Sequence, residues 1–84
     1  MKVFLYALST CPWCRKTKQF LKDNKIAFDY VDYDLANEEK QEKIMEELST
    51  MNATSGFPVV VIGKNVVVGY NPEKYAALLG LNKG

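Results

Sequence analysis

Cys11 and Cys14 constrain this chain more than any other feature, because only Pro12 and Trp13 separate them. A disulfide across so short a segment removes little entropy from the unfolded state, so the pair is no stabilising staple. In a reducing compartment, cysteines this close are expected to be reactive or metal-binding. They follow an apolar run over residues 3–8, Val3-Phe4-Leu5-Tyr6-Ala7-Leu8, which reads as a strand buried on both faces. Ser9-Thr10 ends the run. Pro12 then suits the first turn of a helix, where its missing N–H would have no intrahelical partner anyway. The fold has to carry a strand straight into a helix and set two sulfurs on the first turn.

The remaining pattern fits around that junction. The helix is expected from residue 11 or 12 to about 24. Thr17, Phe20 and Leu21 share its inward face, while Arg15, Lys16, Lys18, Gln19 and Lys22 are expected in solvent. Residues 27–34 alternate and read as a second strand, with Phe28, Tyr30 and Tyr33 set against Asp29, Asp32 and Asp34. Asn37 is a candidate N-cap, followed by Glu38 and Glu39 at the positive end of a helix dipole. Ile44, Leu48 and Met51 recur at helical spacing and are expected in the core. Residues 59–62 and 66–68 are β-branched runs around Gly63-Lys64-Asn65, a hairpin signal. Pro72 opens a last helix to about residue 79, with Gly80 as its C-cap. The order is β-α-β-α-β-β-α.

The chain has 84 residues, which implies one domain over 1–84 with one small core. Eleven basic and 10 acidic side chains leave a formal charge of +1, so no broad electrostatic case for nucleic acid or a membrane surface arises. No apolar run reaches the ~20 residues that span a bilayer, and no secretory leader is recognisable, so the expected location is cytoplasmic. The chain contains no histidine, which excludes imidazole catalysis and histidine metal sites. Two cysteines are too few for a structural zinc site. Two copies sharing four thiolates could hold a metal or an iron–sulfur cluster, and a bridged dimer acting as a binding or sensor module is the alternative of another class.

Redox chemistry is the main expectation. A sulfur at a helix N-terminus meets free N–H groups and the positive end of the dipole, which favour a thiolate, and the thiolate is the attacking species. Cys11 takes that place as nucleophile. Cys14, one turn later, is the deeper thiol and resolves the mixed disulfide. Arg15, Lys16 and Lys18 add positive charge nearby. Trp13, between two site residues, is expected to be exposed as a substrate contact. Tyr6 and Tyr70 are weaker candidates for the same surface.

Cys11-Pro12-Trp13-Cys14, Gly56-Phe57-Pro58-Val59-Val60 and Gly69-Tyr70, in that order after the opening strand, resemble the glutaredoxin family of the thioredoxin superfamily. The resemblance covers nearly the whole chain. It implies a thioredoxin fold, an α/β architecture with a four-stranded mixed sheet in the order 2-1-3-4 flanked by three helices. It implies that Pro58 follows a cis peptide bond beside the cysteines. Phe57 would then offer backbone N–H and C=O groups to an extended substrate. The implied substrate-binding set is Pro12, Trp13, Phe57, Pro58, Gly69 and Tyr70, with Cys11 and Cys14 catalytic and no metal ligands. No cofactor is implied beyond the redox-active Cys11–Cys14 pair, with glutathione as a candidate co-substrate.

The chain departs from glutathione-dependent glutaredoxins at three places. Those proteins usually carry a lysine three residues before the first cysteine, where this chain has Leu8. They have Thr-Val-Pro where this chain has Gly56-Phe57-Pro58, and Gly-Gly then aspartate where it has Gly69-Tyr70-Asn71-Pro72-Glu73. Each change removes a charge or donor that anchors glutathione. Gly69-Tyr70-x-Pro72-Glu73 is similar instead to the Gly-Phe-x-Pro-Asp pattern of NrdH-redoxins, which take electrons from thioredoxin reductase and pass them to ribonucleotide reductase. Archaeal and anaerobe glutaredoxin-like redoxins, some serving thiols other than glutathione, also fit the mixed pattern. The expected function is a monomeric dithiol–disulfide oxidoreductase reduced by a thioredoxin-reductase-type enzyme. Its partners are a reductase and disulfide-containing proteins, with ribonucleotide reductase a candidate. Glutathione or another low-molecular-weight thiol is the alternative donor, which would make the protein a glutathione-dependent glutaredoxin.

Overall fold

A computed structural model describes residues 2–81. The expected domain spans 1–84, and of it Met1 and residues 82–84 lie outside the described residues. Strand β1 (Val3–Ala7) leads through a short loop into helix α1 (Pro12–Asp23). Strand β2 (Asp29–Asp32), a 3₁₀ turn (Tyr33–Leu35) and helix α2 (Glu38–Thr50) follow. Strands β3 (Val59–Ile62) and β4 (Asn65–Val68) form a hairpin, and helix α3 (Pro72–Leu79) ends the fold. The sheet order is β2-β1-β3-β4, with β1 parallel to β2 and the other pairs antiparallel. This is the thioredoxin architecture that the sequence led us to expect.

Strand side chains alternate between two faces, so the sheet divides the core in two. Val3, Leu5, Ala7, Val60, Ile62 and Val67 cluster with Cys14, Leu21 and Tyr75, which come from α1 and α3. On the other face Tyr6 and Val59 cluster with Ile44 and Leu48 of α2. β1 lies between two strands with both faces covered, which is why its sequence is apolar throughout.

The helix ends follow local chemistry. Asn37 and Asn71 accept hydrogen bonds from the Lys40 and Lys74 amides at 2.8 and 3.1 Å, capping α2 and α3. Gly80 closes α3 in the left-handed conformation, as expected.

Three expectations are corrected. The second strand is shorter than 27–34, because it is an edge strand paired only with β1, and the chain turns at Tyr33. There the Tyr33 carbonyl accepts from Gln41 of α2 at 2.9 Å rather than from a neighbouring strand. On that edge Tyr30 is 53% exposed. The hairpin takes in one residue more than expected, since Asn65 pairs with Ile62. Gly63 at φ 62° and Lys64 form the two-residue turn; a positive φ at the first turn position is what a type II′ hairpin requires, and glycine adopts it without strain. Lys18 is the third correction. It is not simply solvated but folds back onto β2, as described below.

Candidate active site

The loop between β1 and α1 presents both cysteines, and both are free thiols. Cys11 is itself the N-cap of α1. Its extended backbone stops the helix there, and its Sγ accepts a hydrogen bond from the Cys14 amide at 3.3 Å. Pro12 occupies the first helical turn. The first turn of α1 contains no acidic residue, so no carboxylate competes with the sulfur for the positive end of the helix.

Cys11 is partly exposed and Cys14 is fully buried. The Cys14 Sγ accepts from the Leu8 amide at 3.4 Å, at the end of β1. Burial pushes the Cys14 thiol up to about 12, and the hydrogen bond with Cys11 acts in the same direction. The Leu8 N–H and the Lys18 ammonium pull it back down. One thiol is therefore presented and the other is enclosed, the difference in depth that the sequence led us to expect.

Phe57 and Tyr70 pack, like Cys11, against the core cluster that holds Cys14. Phe57–Pro58 is a cis peptide bond, and Pro58 is buried. Phe57 packs against both halves of the core, with its ring 5.6 Å from that of Tyr33. It precedes β3, and none of the backbone–backbone hydrogen bonds among the described residues outside the regular elements involves it. The Gly69 amide donates to the Pro58 carbonyl at 2.7 Å, which ties the end of β4 to the proline. Gly69 adopts φ 90°, a conformation in which a β-carbon would be strained. Trp13 is 54% exposed and stacks on Tyr70 with centroids 5.7 Å apart. The Lys16 ammonium lies 4.8 Å from the Trp13 ring centre. Trp13, Tyr70 and Lys16 thus make an exposed aromatic and cationic surface next to Cys11.

Tyr6 does not join them. It points to the α2 face, is buried, and donates to Glu47 at 3.3 Å.

Several supporting residues carried little sequence signal. Thr17 and Tyr75 form a buried link behind the loop. The Thr17 hydroxyl donates to the Trp13 carbonyl at 2.9 Å, and the Tyr75 hydroxyl donates to the Gly69 carbonyl at 2.6 Å. The two hydroxyl oxygens are 3.4 Å apart. A polar residue on the inward face of an amphipathic helix was the available sign for Thr17. Asp34 accepts from the Ser9 amide at 2.8 Å and also from the Ser9 hydroxyl, fastening the loop just before Cys11. Those hydrogen bonds hold the Asp34 carboxyl below its ordinary range. Nothing in the local sequence marks that contact, which spans 25 residues.

Comparison with known proteins agrees with this geometry. The Glutaredoxin family profile matches residues 3–67. A glutaredoxin-like 8.6 kDa protein from the rubredoxin operon of Clostridium pasteurianum is 39% identical over 75 residues, covering 89% of this chain and 93% of its own. The crystal structure of the glutaredoxin grx-1 from Archaeoglobus fulgidus superimposes with a TM-score of 0.86 at 37% identity, over 93% of this chain and 85% of that one. Methanosarcina acetivorans methanoredoxin gives a TM-score of 0.88 at 35% identity, over 94% of this chain and 84% of that one.

Proposed function

The chain belongs to the glutaredoxin family of thiol–disulfide oxidoreductases, and from that premise we propose that Cys11 attacks substrate disulfides and Cys14 resolves them. The observation that carries this assignment is the difference in depth between the two sulfurs: Cys11 at the helix cap, Cys14 buried one turn behind it.

The Cys11 thiolate forms a bond to one sulfur of the substrate disulfide. The substrate S–S bond breaks, and the released thiolate takes a proton from water. Cys14 then loses its proton and attacks the Cys11 sulfur. The mixed disulfide breaks, the second substrate thiolate leaves, and a Cys11–Cys14 disulfide remains. Two electrons have passed to the substrate, and a reductase returns both cysteines to thiols. The dithiol is the redox group, so the cycle needs no bound cofactor, and one chain carries both sulfurs, so a monomer suffices.

Substrate docks on Trp13 and Tyr70, with Pro12, Pro58 and Gly69 shaping the floor. The Phe57 backbone groups pair with an extended segment of the substrate as an added strand. Replacing Cys14 with Ser is expected to trap a mixed disulfide with a peptide substrate, detected by mass. The Cys11→Ser variant should trap none. The reverse pattern would exchange the two roles.

The proposed electron donor is a thioredoxin-reductase-type enzyme in the cytoplasm rather than glutathione. Two observations support it. Leu8 stands where a glutathione-binding member carries a cation, and the nearby Asp34 carboxylate adds negative charge beside Ser9. Gly69-Tyr70-Asn71 stands where a glutathione-binding member has Gly-Gly and then an aspartate, the groups that would hold glutathione's carboxylate and amine. Turnover with NADPH and thioredoxin reductase should therefore exceed turnover with glutathione and its reductase. Stronger coupling to glutathione would overturn the donor assignment. Among the described residues, no helix is long and apolar enough to cross a membrane.

A further inference from the structure

Resolution asks a buried thiol to become a nucleophile. Cys14 has no exposed surface, and burial favours its neutral form. Something in the fold has to offset that cost at the moment of attack.

Lys18 lies four residues after Cys14 on α1, on the next turn of the same face. Helical side chains lean toward the N-terminus, so a side chain at position 18 leans toward the turn that holds Cys14. It does not extend into solvent. Its ammonium sits 3.1 Å from Asp32, with the two side chains 20% and 16% exposed. The same ammonium lies 4.2 Å from the centre of the Tyr30 ring. Asp32 pairs with Ala7 in the β1–β2 register, and Ala7 shares a core cluster with Cys14. Leu8, the next residue, donates its amide to the Cys14 sulfur. The ion pair therefore sits at the end of the sheet where that sulfur is buried. It is the one ion pair found among the described residues.

We propose that Lys18, anchored by Asp32 and Tyr30, is the positioning residue that stabilises the Cys14 thiolate during resolution. The inference rests on the resolving role assigned to Cys14 above. Its physical basis is the positive charge of a lysine, held in place by Asp32 at 3.1 Å, one helical turn from a poorly solvated sulfur, where charges interact more strongly than in water. The charged and titratable groups facing Cys14 are few. Cys11 and Lys18 come from α1 and Tyr75 from α3, with the Leu8 N–H from the end of β1; the Asp32 carboxylate of β2 is the ion-pair partner of Lys18. Tyr75 is kept neutral by burial and donates to Gly69, so it offers no positive charge. Once Cys11 is joined to substrate, Lys18 and the Leu8 amide are the groups left to favour the anion. Cys14 then gives its proton to water and its sulfur bonds to Cys11. The bond from Cys11 to the substrate breaks, and the substrate thiolate leaves.

The test uses the reduced full chain and a dipyridyl disulfide, which is uncharged at neutral pH. Attack by Cys11 releases a first thiopyridone, and closure by Cys14 releases a second. In Lys18→Met the first release should be unchanged and the second slower, with its rate–pH curve displaced to higher pH. Each unit of rise in the Cys14 pKa lowers the thiolate population about tenfold. The more basic sulfur recovers about threefold of that. The net expectation is about threefold slower closure per unit below the pKa. Lys18→Arg should restore the second phase. Equal slowing of both phases, an unchanged second phase in Lys18→Met, or an Arg variant as slow as Met would overturn the proposal. Cys14→Ser separates it from its premise: a second release that survives this change means Cys14 is not the resolving thiol.

Discussion

Cys14 makes the folded protein sensitive to alkali. Its thiol titrates at about 12 in the fold, against about 8.5 for a free cysteine. Between those values the unfolded chain loses this proton and the folded chain keeps it, so stability falls as pH rises. The contribution is fully present below the unfolded pKa and is lost through the folded one. Tyr6 and Tyr75, both raised chiefly by burial, add the same trend at higher pH. The melting temperature of the reduced protein should therefore drop steadily above about pH 8.5. Cys14→Ala should flatten the lower part of that slope and leave the part due to the tyrosines. Tyr75→Phe removes the donor to the Gly69 carbonyl and leaves a carbonyl unpaired in a partly buried place. Chemical denaturation should show a loss of about 1–3 kcal/mol. Trp13 is the matching case for function. Trp13→Ala should lower kcat/KM for a protein disulfide by about tenfold, as for a central aromatic contact, with little change in stability.

The helix ends divide their labour by charge. α2 and α3 begin with an asparagine cap and glutamates in the first turn, the arrangement that satisfies a positive helix end with carboxylates. α1 has no acidic residue there and uses the Cys11 sulfur as its cap. The sulfur proposed as the nucleophile is thus also a structural atom. Serine is a good N-cap and alanine is a poor one. Cys11→Ser should be inactive yet close to the parent in stability, while Cys11→Ala should be about 1 kcal/mol less stable than the serine variant. Thermal melts of the three proteins, side by side, check this. If the two variants melt together, the sulfur has no capping role.

At the scale of the molecule, the sheet separates two small cores that share its strands. Leu21 seals α1 onto one face, and Leu48 seals α2 onto the other. Both are essentially fully buried. Truncating either to alanine should cost about 2–5 kcal/mol. A domain of this size has only about 5–15 kcal/mol in total, so each change removes a large share. Both should lower one cooperative transition rather than split it, because β1 and β3 contribute side chains to both clusters. Calorimetry that resolved two transitions would show that the halves fold separately.

Much of this protein was legible in its sequence. Periodicity, Pro12, Asn37, Pro72 and Gly80 are local signals, and they placed the elements to within a few residues. The Cys11–Cys14 spacing is local as well, so the two cysteines could be picked out directly. What lay beyond reach was contact between distant segments. Tyr6 and Tyr70 look alike along the chain, yet strand alternation turned Tyr6 toward α2, while the end of β4 brought Tyr70 onto Trp13. Lys18 read as one more solvated lysine until the parallel β1–β2 pairing set Asp32 within its reach. Asp34 and Ser9 met because the edge strand ends early. Sequence by itself determined the elements and the close cysteine pair, because backbone preference and residue spacing act over a few residues. Only the tertiary structure decided how deep Cys14 lies and which charge faces it, because burial and electrostatics depend on every segment packed around the sulfur.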